Sequence, residues 1–398
     1  MRSLFAGTIG LRMGQYIWQC EGWPRMSWDG KAFSSLLAEV NMLRGKLMGV
    51  ISMFGFQEQD DSMLDAMSQE IVHSAKIEGQ ILDHDSVRSS VARQLGLAYD
   101  GLPVPNHYTE GIVQVMIDAT QHYDMPLDAE RLFNWHAALF PMGRSGMYKI
   151  TVGAWRSEGG SMQVVSGAIG HEKVHYEAPD NKDVPAMMNE FLGWVNAADI
   201  SMDPLVKAAA AHLWFVTIHP FDDGNGRLCR TITEMLLSRA DQTRQRYYSL
   251  SSVFLSNRKE YYRQLEQAQK GALDITAWID WFLRQLRDAL LVSLEKTEHV
   301  KAKRMFWERY SAVSFNDRQR RIINMLLDGF KGKLTSSKWY KINHCSQDTA
   351  NRDINDLILK GILVKTPGNG RNTAYELAAL QRKSFSCSLR CLPQTQQR

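Results

Sequence analysis

The stretch Thr217 to Arg230, TIHPFDDGNGRLCR, crowds a histidine, two aspartates, an asparagine between two glycines, and two arginines into one short segment. Its flanks read as helix. DPLVKAAAAHLWFVTI, ending at Ile218, is an apolar run with Asp203 at the N-cap and Pro204 at the first helical position, both favoured there. After Gly226 the sequence RLCRTITEMLLSR resumes a helical period. Leu228, Ile232, Met235 and Leu236 fall on one side, with Arg227, Arg230 and Glu234 on another. The stretch is therefore expected to be a loop between two helices in a mainly α fold.

Its residue types suit phosphate chemistry. Consecutive backbone N–H groups of Gly224-Asn225-Gly226, opening a helix, can form a nest for anionic oxygens that the helix dipole strengthens. Arg227 and Arg230 can grip further oxygens in bidentate fashion. Asp223 is the better of the two acids to hold Mg²⁺ between phosphates, since magnesium favours one or two carboxylates plus substrate oxygens. The imidazole of His219, with an ordinary pKa of about 6.5, can deprotonate an attacking hydroxyl. Singly, these residues have structural roles: a satisfied core histidine, an acidic turn, a solvated arginine face. Together they describe a polyphosphate site.

The whole chain sets the frame. It has 398 residues, 44% hydrophobic and 23% charged, enough for two or three globular domains. Cys20, Cys229, Cys345, Cys387 and Cys391 are scattered and lack the CxxC spacing of a zinc site, which fits a reducing, cytoplasmic setting. No apolar run is long enough for export or membrane insertion. Charge is divided unevenly: Lys301 to Arg398 hold 19 basic against 7 acidic residues, while the preceding part holds 28 against 36. A basic C-terminal part reads as a binder of nucleic acid or acidic surfaces, or as solvated surface.

Other segments organise around the loop. Trp18, Trp23 and Trp28 are spaced evenly about a proline turn and are expected to pack a core or dock one domain on another. Helix is expected from Lys31 to Phe54 and again through DDSMLDAMSQEIVHSAKIEGQIL, where Met63, Met67, Ile71 and Ala75 recur every four residues and Gly79 can stop the helix. From Asp128 to about Leu290 the pattern is helical with one interruption. There Met162 to Ser166 and Lys173 to Tyr176 read as a β-hairpin flap. His299 to Ser314 reads as a polar connection. Beyond it, three helices and two extended pieces around Pro-Gly-Asn-Gly follow the order of a winged helix-turn-helix, with Thr349, Asn351 and Arg352 opening the third helix and Lys365 and Arg371 on a basic wing.

HPFDDGNGRLCR resembles the HPFx(D/E)GNGRxxR signature of Fic proteins at every specified position. The preceding helix, MQVVSG, and YYRQLEQAQKGALDITAWIDWFL are also similar to Fic sequences. The resemblance implies a mostly helical protein adenylyltransferase that moves AMP from ATP to a Tyr, Ser or Thr hydroxyl of a target protein or of itself. His219 would be the base, Phe221 the buried anchor of the loop, Asp223 the Mg²⁺ ligand, Gly224, Asn225 and Gly226 the anion hole, and Arg227 and Arg230 the β- and γ-phosphate contacts. Val164, Val165, Ser166 and Gly167 would hold the target peptide and touch ATP; Tyr261, Tyr262 and Gln269 would line the adenosine pocket. SAKIEG resembles the inhibitory motif (S/T)xxxE(G/N), with Ser74, Glu78 and Gly79 at its positions, so Glu78 would pair with Arg230. A Fic-type phosphotransferase carries Ala-Asn-Lys where this chain has Gly-Asn-Gly-Arg; a transcriptional regulator using the Fic core as nucleotide sensor is the other alternative. The organisation implied is an N-terminal helical domain with the inhibitory helix over 12–95, a Fic catalytic domain over 128–290, a winged helix-turn-helix over 312–378 and a tail over 379–398. ATP and a target protein are the implied partners, Mg²⁺ the cofactor, and no membrane; DNA, through the winged helix, and a homodimer stay open.

Overall fold

The computed structural model describes residues 16–97, 107–157, 161–166, 173–330, 332–366 and 373–378. Gly167, Arg371, the Pro-Gly-Asn-Gly turn and the expected tail lie outside them. The chain divides into two compact units, Met1–Ser293 and Leu294–Arg398.

In the first unit, α1 (Ser34–Ile51), α2 (Phe56–Ile77) and α3 (His84–Gln94) precede α4 (His107–Gln121) and α5 (Ala129–Leu139). Two short hairpins follow: β1 (Arg144–Ser145) with β2 (Tyr148–Lys149), then β3 (Ser161–Ser166) with β4 (Lys173–Asp180), both antiparallel. The chain returns to helix with α6 (Val184–Asn196), α7 (Pro204–Ile218), α8 (Asn225–Asp241), α9 (Leu250–Ser256), α10 (Arg258–Gln269) and the first half of α11 (Thr276–Arg309), whose later residues belong to the second unit. The fold is thus mainly α with short hairpins. The first hairpin is a second interruption of the helical region, where one was expected. Its two-residue strands are too short to leave an alternating pattern.

At the centre α7 packs against α8. Helix α7 is buried from Leu205 to Ile218 except for partly buried Lys207, and the consecutive small residues Ala208 to Ala211 keep it thin all round, so that Trp278 Nε1 reaches Ala209 O at 2.7 Å. Asp203 caps it as expected, accepting from Leu205 N at 2.8 Å. Helix α8 departs from the amphipathic reading: Arg227, Arg230 and Glu234 are as buried as its apolar side. Buried charges need partners, and Glu234 takes Arg246 Nε at 2.8 Å. The N-terminal tryptophans dock as expected, Trp18 donating to Glu177 O at 2.9 Å and Trp23 meeting Trp214 edge-on. Ser27 pins the same segment through backbone bonds to Leu273 and Ile275.

Helix α2 is held in register by a buried carboxylate. Glu70 accepts from Ser249 Oγ and Ser251 N, each at 2.8 Å, and so caps the start of α9. Gly79, with φ of +80°, follows the helix; Gly79 N bonds Lys76 O and Gln80 N bonds Ala75 O, a Schellman turn that only a residue tolerant of positive φ closes cheaply.

The second unit contains α12 (Asp317–Leu327), α13 (Ser336–Asn343), α14 (Gln347–Leu359), β5 (Leu363–Lys365) and β6 (Tyr375–Leu377), the strands antiparallel. Ile322, Trp339, Ile354, Leu357 and Leu377 share its core with Phe306. The polar segment expected to be a connection is helical instead as far as Arg309, because α11 runs through it and buries Phe306.

Candidate active site

The loop is shorter than the sequence implied: α7 ends at Ile218 and α8 already begins at Asn225. His219 turns the chain in the left-handed conformation, φ 53° and ψ 58°, uncommon for a residue with a side chain. Its neighbours enforce that turn. Arg156 Nε donates to His219 O and Arg156 N to Pro220 O, both at 2.9 Å. Asn225 clasps Phe221 from both sides, Phe221 N donating to Oδ1 at 2.9 Å and Nδ2 donating to Phe221 O at 2.7 Å. Phe221 is completely buried between His136 and Trp155.

This geometry fixes the tautomer of His219. Nδ1 lies 3.2 Å from Val216 O, which can only accept, so Nδ1 carries the proton and Nε2 keeps its lone pair. Burial, with the charge of Arg156 adding to it, pushes the pKa down to about 4 against the pull of the Val216 bond, Glu78 and Asp223. The ring is neutral at pH 7 and ready to accept a proton.

The two aspartates separate in role. Asp222 Oδ2 accepts from Thr151 N at 2.8 Å and ties the loop to the chain after β2. The side chain of Asp223 is 43% exposed; Oδ1 accepts from Gly224 N at 2.6 Å, and Oδ2 takes the Ser145 hydroxyl and lies 3.8 Å from Arg227 Nη2. A single accessible carboxylate at a helix N-terminus fits Mg²⁺, which takes few protein ligands and completes its shell with phosphate oxygens and water. Among the described residues no cluster of three or more His, Cys, Asp or Glu forms an all-protein metal cage.

Both arginines are engaged by the segment ending α2. Arg230, 2% exposed, donates through Nε to Ser74 Oγ at 2.8 Å, and through Nη2 to Ser74 O at 2.9 Å and Glu78 Oε1 at 2.8 Å. Burial opposes its charge, but Glu78, Tyr261 and Tyr262 more than offset this and raise its pKa. A Cβ on Gly226 would run into the Glu78 carboxylate, so glycine here lets the pair close. Arg227 Nη1 donates to Gln80 Oε1 at 3.0 Å and to Tyr108 OH at 3.4 Å, with its guanidinium over the Phe140 ring. Arg230 Nη1 and Arg227 Nε are buried donors with no protein acceptor, an arrangement suited to an anionic ligand.

The remaining expected residues divide. Val164 lies on β3 opposite Tyr176, partly buried; Val165 and Ser166 lie on the same strand, their side chains outside the described residues. Tyr261 is turned into the core rather than toward a pocket, stacked on Phe254 with its hydroxyl 2.9 Å from His212 Nε2. Gln269 is also interior, near Val216 O. Tyr262 alone of the three is substantially exposed, its hydroxyl 3.4 Å from Glu78 Oε2. Gln80, Tyr108, Ser145, His136 and Arg156 escape the sequence reading because they reach the loop from separate elements, with no shared spacing.

The fold and loop have the form of a Fic domain. Residues 126–237 match the Fic/DOC family model, and residues 16–97 match a domain of unknown function, DUF4172; the chain carries a Fic domain. It is 29% identical over 210 residues to the protein adenylyltransferase Fic of Culex quinquefasciatus, covering 52% of this chain and 38% of that protein. With the Drosophila virilis protein of the same name it is 27% identical over 253 residues, covering 60% and 48%. The chain thus spans less than half the length of these relatives. The crystal structure of a Fic family protein from Desulfovibrio desulfuricans G20 shares the fold, with a TM-score of 0.51 and 22% identity over 87% of this chain and 95% of that one.

Proposed function

We propose that the protein is an adenylyltransferase that transfers AMP from ATP to a Tyr, Ser or Thr hydroxyl of a protein, and that Glu78 restrains it. The observation that carries the reading is the free lone pair of His219 Nε2 beside an amide-lined helix start and two buried arginines with unsatisfied donors. In the proposed step the acceptor hydroxyl oxygen attacks the α-phosphorus and His219 Nε2 takes its proton. The bond from the α-phosphorus to the bridging oxygen breaks, and pyrophosphate leaves with the bonding pair. Arg227, Arg230 and the amides of Asn225 and Gly226 hold the leaving charge, while the Gly224 amide stays with Asp223 Oδ1; this is preorganised electrostatic stabilisation. Mg²⁺, held by Asp223, would supply charge neutralisation between the phosphates.

Among the described residues β3 pairs with β4 alone, so an edge of the flap is available for strand addition by a target peptide. Ordered burial of Arg230 against Ser74 and Glu78 supports inhibition: the same nitrogen that meets Glu78 would have to turn to the γ-phosphate. The test is intact mass after incubation with Mg²⁺ and ATP, for wild type and Glu78→Gly. A gain of one AMP per modified site is expected in the variant; a gain of one phosphate assigns the phosphotransferase reaction, and no change with added acceptor proteins refutes transfer.

A further inference from the structure

His136 stands outside the loop motif, on α5, yet the loop is built against its ring. The imidazole is fully buried and lies flat on Phe221, with centroids 4.3 Å and planes 13° apart. Its nitrogens have defined roles. Gly153 N–H reaches Nδ1 at 3.3 Å and can only donate, so Nδ1 carries no proton. Nε2 lies 3.1 Å from Asp223 O, which can only accept, so Nε2 carries the proton and donates. One neutral tautomer therefore bridges the chain after β2 and the catalytic loop.

The carbonyl it holds belongs to the Asp223–Gly224 peptide, whose N–H donates to the carboxylate of Asp223 itself at 2.6 Å. Because a peptide is planar, fixing its C=O fixes the N–H opposite, and the N–H in turn aims Oδ1. Gly224, at φ of +84°, has no Cβ to resist rotation of that peptide, so an external hold is needed. Ser145 restrains only the other carboxylate oxygen.

We propose that His136 is a positioning residue: its Nε2–H bond to Asp223 O orients the Asp223 carboxylate toward the divalent cation that accompanies the polyphosphate. The proposal rests on the nucleotide reading above. His136 touches neither nucleotide nor acceptor and acts through the Asp223–Gly224 peptide. A histidine retained only for packing would be replaceable by another ring.

The experiment uses the full chain with Glu78→Gly and measures ATP affinity by calorimetry with Mg²⁺ and with EDTA; the ratio reports what the metal adds, without turnover. His136→Phe keeps a ring on Phe221 and removes both hydrogen bonds, whereas His136→Gln keeps an N–H within reach of Asp223 O. The Phe variant is expected to lower the ratio roughly tenfold, the scale on which hydrogen-bond partners of metal ligands act, and the Gln variant to restore most of it. If the Phe protein does not fold, His136→Asn, one methylene too short, takes its place with the same expected loss. An unchanged ratio, or equal losses in the Gln variant and its comparator, overturns the proposal. No ATP binding by the Glu78→Gly parent overturns the nucleotide reading and this proposal together, while ATP binding without AMP transfer refutes the transferase step alone.

Discussion

Replacing Glu78 is the most informative perturbation of this protein. Glu78 Oε1 sits 2.8 Å from Arg230 Nη2, and its side chain is 31% exposed while Arg230 is 2% exposed. A hydrogen bond between charged groups contributes about 1.5–3 kcal/mol, and partial exposure of Glu78 places this one toward the lower end. ATP must displace that contact before its γ-phosphate reaches Arg230, so Glu78→Gly should raise AMP transfer at saturating ATP roughly 10- to 100-fold. Glu78→Gln keeps the bulk and removes the charge; it should recover a smaller part of the gain. Arg230→Ala should abolish the gain, because both changes act through one ion pair and cannot be additive. The assay is AMP incorporation from labelled ATP, in self-modification and on a supplied acceptor, for wild type, the single variants and the double variant. A Glu78→Gly protein no faster than wild type in both formats refutes the reasoning, as does a double variant that keeps the gain.

Further outcomes follow from the same geometry. His219→Ala should lower transfer by about 10²- to 10⁴-fold while calorimetry shows ATP binding largely retained, since the phosphate contacts remain. With the His219 pKa near 4 the neutral form predominates well below pH 6.5, and Glu78→Gly removes a charge that raises it, so the acid limb of Glu78→Gly transfer should fall only at or below about pH 4 rather than through 6.5. Unfolded histidine titrates near 6.5, so this half-buried ring contributes stability fully above that pH and loses it as pH falls toward 4, which acid melting curves would register. Asp223→Asn preserves an acceptor for Gly224 N but removes the charge, and should move the Mg²⁺ requirement of transfer upward; an unchanged metal titration removes Asp223 from the metal site. Gln80→Ala should free Arg227 from one neutral acceptor and raise transfer by about fivefold, less than Glu78→Gly; no rise at all confines the inhibitory contact to Glu78.

Local chemistry made much of this protein legible in its sequence. The cap at Asp203, the proline after it and the apolar run to Ile218 define a central helix, because capping and periodicity act over a few residues. Gly79 marks the end of α2 for the same reason: a Schellman turn needs a residue at ease with positive φ. The loop residues His219 through Arg230 were recognisable as a phosphate-handling set from type and order alone. Tertiary structure decided what those residues face. Glu78 meets Arg230 across 152 positions of sequence, and Gln80, just past the end of α2, and Tyr108, on α4, both reach Arg227. Tyr261, read as a pocket residue, is drawn into the aromatic core because its ring stacks on Phe254 and its hydroxyl finds His212. Helix α8 looked amphipathic, yet its Arg227 and Arg230 are buried, since Ser74 and Glu78 at the end of α2 engage Arg230 and residues outside the helix receive Arg227. Likewise, Val216 O selects the proton position of His219, and Arg156 and Asn225 hold its left-handed turn. The difference is one of range: backbone propensity is set by neighbours along the chain, whereas the pairing of a buried charge and the tautomer of an imidazole are set by whichever donors and acceptors the packed fold brings alongside.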